Sequence, residues 1–70
     1  MDSKEFSRFR KRLNKTQKQM AQLLGVSIKA VHSYEQGWRS IPAHVERQMF
    51  FFNIQDERQR QSSQVLLRNK

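Results

Sequence analysis

Apolar residues recur along this chain at helical intervals and nowhere alternate in the two-residue manner of a half-buried strand. Phe6, Phe9 and Leu13 stand at i, i+3 and i+7, which puts all three on one side of a helix whose remaining surface is basic. Asp2 and Glu5 have the spacing of a capping box for its start, and Asn14-Lys15 interrupts the pattern. Thr16 and Gln19 repeat the signature: the hydroxyl accepts from the Gln19 N–H while the amide reaches back. Met20, Ala21, Leu23 and Leu24 then form the apolar side of a second helix. Gly25 stops it, because glycine enters the left-handed region without a Cβ penalty. Ser27 is placed to cap a third helix two residues later, so the two axes cross sharply and draw Val26 into the corner. Gly37 ends that helix, and Trp38-Arg39-Ser40-Ile41 forms a basic connector. Pro42 suits the first position of a fourth helix, whose stripe is Ile41, Val45, Met49 and Phe52. Phe50 and Phe51 fall off the stripe, leaving aromatic surface for another partner such as a second copy.

The third helix divides into two unlike halves. At about 100° per residue, Ile28, His32, Gln36, Lys29 and Ser33 share an arc of roughly 140°, with Ala30, Val31 and Tyr34 opposite them. The second set is core. The first offers an imidazole, an amide, a cation, a hydroxyl and one exposed isoleucine, and that combination suits base edges. Lys29 can donate to guanine O6 and N7, Ser33 and Gln36 to base or phosphate, and Ile28 can sit against a thymine methyl. An α-helix also fits the major groove. The competing reading is an ordinary helical hairpin with an arbitrary polar side.

Composition narrows the partner. With 70 residues the chain is one small domain, and having no cysteine it draws stability from side-chain packing, with or without help from a partner subunit. Its net charge is +8, which favours polyanions, although a solvated basic face that merely aids solubility gives the same count. The excess is uneven: Lys4, Arg8, Arg10, Lys11, Arg12 and Lys15 against Asp2 and Glu5 leave +4 within residues 1–15, half the total. The N-terminal stretch has no apolar leader core, and Met49–Phe52 is far too short for a bilayer of roughly 30 Å. The expectation is a soluble, cytoplasmic protein without contact to membrane.

The stretch Thr16–Gly37 resembles the helix-turn-helix of the lambda-repressor and Cro-like family, also called the XRE family. The matching residues are Thr16-Gln17, Ala21, Gly25-Val26-Ser27, Val31 and Tyr34-Glu35-Gln36-Gly37. The similarity extends back through Phe6, Phe9 and Arg10 and forward into the Pro42 helix. It implies an all-α bundle of four to five helices and a prokaryotic or phage transcriptional regulator, cytoplasmic and nucleoid-associated; repression is the expected outcome of binding, while activation, which needs only an exposed patch touching polymerase, stays open. It assigns base reading to Ile28, Lys29 and Ser33, with His32 contributing. Gln17 takes the place of a glutamine that bonds phosphate and braces a recognition residue, a role that suits a helix N-terminus. Gln36 and Arg39 match positions that grip the backbone, and Lys18 and Ser27 are assigned to phosphate with them. Arg10 and Glu35 match a largely buried ion pair between the first and third helices. The surplus aromatics at Phe50 and Phe51, rather than the likeness, motivate the expectation of a homodimer on a palindromic operator.

The boundaries expected are a DNA-binding domain over 1–53 and a frayed or disordered polar tail over 54–70. Val65-Leu66-Leu67 in that tail keeps a second class open: an antitoxin-like or adaptor module that captures a protein, with DNA contact secondary. RNA binding is a third, disfavoured by the scarcity of aromatics on outer helix faces. Trp38 beside Arg39 either packs over a sugar-phosphate backbone or covers the edge of the core. No cofactor is expected. His32 and His44 lack further ligands at metal-binding spacing, and no serine has a histidine and carboxylate in a catalytic pattern, so neither a metal site nor an enzyme is expected.

Overall fold

The computed structural model describes residues 1–68, with side chains given as far as Arg58. Four helices follow one another: α1 (Ser3–Arg12), α2 (Gln17–Leu24), α3 (Ile28–Gln36) and α4 (Ala43–Arg68), with no strand among the described residues. The start of each of the first three is set by a local polar side chain. Asp2 Oδ1 accepts from the Glu5 N–H at 2.7 Å while Glu5 Oε1 accepts from the Asp2 N–H at 3.3 Å. Thr16 and Gln19 make the same reciprocal pair at 3.1 and 2.9 Å. Ser27 Oγ accepts from the Ala30 N–H at 3.0 Å. These bonds satisfy N–H groups that the first turn of a helix leaves without partners.

The helix ends are equally specified. Gly25 (φ 70°) and Gly37 (φ 77°) both take the left-handed conformation. The following N–H then folds back, Val26 to the Ala21 carbonyl at 3.0 Å and Trp38 to the Ser33 carbonyl at 3.0 Å. This five-residue closure is the Schellman arrangement, and an L side chain at either glycine would be strained.

Each helix contributes to one core. Phe6, Met20, Val31, Val45 and Met49 are completely buried, with Ala21, Leu24, Ala30 and Tyr34 nearly so. The Phe6 and Tyr34 rings pack at 5.6 Å between α1 and α3. Phe9, Leu13, Val26, Ile41 and Phe52 lie against this cluster at its margin. Asn53 is the one buried polar residue among those described, and its amide is satisfied by the Met49 carbonyl at 2.9 Å.

Two local expectations need correction. Leu23 is exposed, because α2 buries the Met20–Ala21–Leu24 face and Leu23 lies past its edge. Pro42 is the cap residue, and α4 begins one position later than expected: the Pro42 carbonyl accepts from the N–H groups of Val45 and Glu46 at 3.1 and 3.0 Å. The stretch from Ile54 continues α4 to Arg68, while the side chains of Val65-Leu66-Leu67 lie outside those described. No helix among the described residues is long and apolar enough to cross a membrane.

Candidate nucleic-acid interface

Two rigid stops, at Gly25 and Gly37, and one cap, at Ser27, hold α3 between them. Ala30, Val31 and Tyr34 anchor it inward. Packing on one side fixes what the other side presents. Ile28 is 48% exposed, Lys29, His32 and Gln36 are exposed, and Ser33 is half-buried. The five side chains grouped by helical spacing therefore lie together on the solvent face of α3.

The orientation of α3 relative to α1 is set by an ion pair. Arg10 Nε donates to Glu35 Oε2 at 2.6 Å and Arg10 Nη2 donates to Glu35 Oε1 at 3.0 Å, a fork-to-carboxylate geometry. The side chains are 14% and 7% exposed, so water screens the pair little. Arg10 Nη1 also donates to the Lys15 carbonyl at 2.8 Å, which pins the loop between α1 and α2. Burial pushes the Glu35 carboxyl upward. Hydrogen bonds from Arg10 and Gln17, the Arg10 charge and a bond from Ser7 outweigh it and hold the group below its ordinary value of 4.5.

Among the phosphate-contact candidates, Lys18, Ser27, Gln36 and Arg39 are exposed, whereas Gln17 is half-buried. Gln17 Nε2 donates to Glu35 Oε1 at 3.3 Å, so its amide joins the start of α2 to the end of α3. Sequence reasoning missed this bond. The signal was a glutamine expected to brace the recognition helix, but the partner is a carboxylate 18 positions away.

Sequence reasoning also left the α1 cations other than Arg10 unsorted. Arg10 is committed to Glu35, and Arg12 Nη2 reaches Glu57 Oε1 at 2.7 Å on α4. Lys4, Arg8 and Lys11 line an open cleft of about 420 Å³ with Ser3, Ser7 and Glu35. These three cations thus border the seam where α1 meets the end of α3. Their spacing of four and three residues was available in advance, but not which flank of α1 would face that seam.

Trp38 does not cover the core. It is 72% exposed, and its ring stands nearly perpendicular to that of His32, with centroids 5.4 Å apart and planes at 79°. An exposed aromatic pair therefore borders the C-terminal half of the α3 face.

In comparison with known families, residues 7–43, more than half of the chain, match a model described as helix-turn-helix. Neither the curated proteins nor the solved structures gave a match.

Proposed function

The chain belongs to this helix-turn-helix family of DNA-binding regulators, with the lambda-repressor and Cro-like arrangement, and from that membership we propose that it reads a specific duplex sequence with the outer face of α3. One observation carries the reading: a helix fixed at both ends and anchored on one side presents Ile28, Lys29, His32 and Ser33 to solvent with no acidic residue among them. Lys29 donates to guanine, Ser33 and His32 contribute hydrogen-bonding groups, and Ile28 meets a thymine methyl. Lys18, Ser27, Gln36 and Arg39 hold phosphates beside the groove. Gln17 keeps its backbone N–H at the start of α2 for the same purpose, although its side-chain amide is partly engaged by Glu35. Lys4, Arg8 and Lys11 extend the cationic surface along α1.

Selection of binding sites from randomised duplexes at near-physiological salt tests the reading directly. It should return one preferred sequence. Lys29→Ala should then relax preference at one base pair and cost about 1–3 kcal/mol on the best site. An equal loss on every duplex would make Lys29 a phosphate contact and remove it from the base-reading set.

The chain acts as a homodimer on this reading. Phe50, Phe51 and Ile54 are exposed on α4, Phe51 by 56%, and a second copy covering them would remove apolar surface from water. Two α3 helices about 34 Å apart would read a palindrome. Sedimentation with the selected duplex should show two chains per site; one chain per site, both free and bound, would exclude the dimer. Repression is the regulatory outcome we assign, since a dimer over a promoter obstructs polymerase without any further surface.

A further inference from the structure

We propose that Trp38, set against His32 at the rim of α3, is a further DNA contact that packs on the sugar-phosphate wall of the groove α3 enters. The proposal rests on α3 being the recognition helix. Trp38 is the most exposed large hydrophobic residue described, yet its position is closely defined. Its N–H donates to the Ser33 carbonyl at 3.0 Å, immediately after the left-handed Gly37. Its ring meets that of His32 in a near-perpendicular contact, and most of the residue stays in water. A large side chain held in one place while exposing apolar area is arranged for contact with a partner.

The charge of the stretch that carries α2, α3 and Trp38 points to the partner. Between Thr16 and Val45 the only acidic residue is Glu35, and Arg10 engages both of its oxygens. Lys18, Lys29 and Arg39 lie in the same stretch and are exposed. A segment with that balance of charge favours a polyanion. A duplex backbone alternates apolar sugar edges with phosphate oxygens, and an indole matches that alternation with its apolar body and a single N–H donor. Such a contact carries little sequence information, because phosphates and sugars position a protein while base edges specify the site.

The chain has one tryptophan, so its emission reports this position alone. The selected duplex is titrated into the full chain while tryptophan emission and the anisotropy of a dye on the DNA are followed together. Emission should be quenched and change along the same curve as anisotropy. Trp38→Ala should weaken binding about tenfold on the selected and a scrambled duplex alike, with its thermal melt unchanged. Trp38→Phe should recover part of the loss. Anisotropy that rises while emission stays constant overturns the proposal and leaves the α3 reading intact, as does wild-type affinity in Trp38→Ala. An emission change that follows protein concentration without DNA assigns Trp38 to contact between copies and overturns it too. Failure to bind any duplex at low salt overturns the α3 reading and this inference together.

Discussion

Replacing Arg10 with alanine is expected to destabilise the fold by about 3 kcal/mol, the lower end of the range for breaking one side of a buried ion pair. The magnitude follows from what remains. Glu35, at 7% side-chain exposure, would keep a desolvated carboxylate with only Gln17 and Ser7 to hold it. An exposed pair would lose no more than about 1 kcal/mol, and the burial of both partners decides against that case. A domain of this size has roughly 5 kcal/mol to lose, so the variant should melt far below the parent. Changing Arg10 to Met and Glu35 to Leu together should cost less than Arg10→Ala alone, since no buried charge is then left unpaired. Chemical denaturation of the three proteins checks the order.

The same group sets a pH dependence. The Glu35 carboxyl is held below its ordinary value of 4.5 in the folded chain. The folded state therefore resists protonation more than the unfolded state does. Its contribution to stability is complete above 4.5 and is lost as pH falls through the lower folded-state value. Glu35→Gln should be less stable than the parent near neutrality, with the gap narrowing below about pH 4.5. Other carboxylates titrate in both proteins, so the difference between the two curves is what isolates Glu35. Parallel curves would show that this carboxylate is not the one linked to folding.

The capping bonds were legible in the sequence because each is an i, i+3 relation inside a single turn. Asp2 with Glu5, Thr16 with Gln19, and Ser27 before Ala30 need no knowledge of tertiary structure. Gly25 and Gly37 were legible for the same reason, as was the inward face of α3. What could not be read depends on how helices cross. Arg10 and Glu35 lie 25 positions apart, and only family resemblance joined them. The engagement of Gln17 by Glu35 and of the Lys15 carbonyl by Arg10 follows from that pairing. Trp38 was undecided because its burial depends on whether the core reaches past Gly37. Val45 and Met49 complete the core from α4, and of the connector only Ile41 packs at its margin, leaving Trp38, Arg39 and Ser40 outside.

If the basic surface meets DNA as proposed, affinity for the selected duplex should fall roughly 10³–10⁵-fold between 50 and 200 mM salt, as expected for about 6–10 phosphate contacts. Arg10 is held by Glu35 and Arg12 reaches Glu57; the remaining exposed cations of α1, α2, the loop between them and the connector are Lys4, Arg8, Lys11, Lys15, Lys18 and Arg39. On the proposed dimer the contacts are shared between two chains, each supplying about half of the slope. Arg39→Ala should therefore reduce the slope of log affinity against log salt by about 0.9 for each phosphate no longer neutralised. Lys29→Ala should leave it nearly unchanged, because a base contact releases no condensed counterion. Equal slopes in parent and Arg39→Ala would take Arg39 off the backbone. A parent slope only half the expected size would point to one chain on each site, and the palindrome would lose its physical basis.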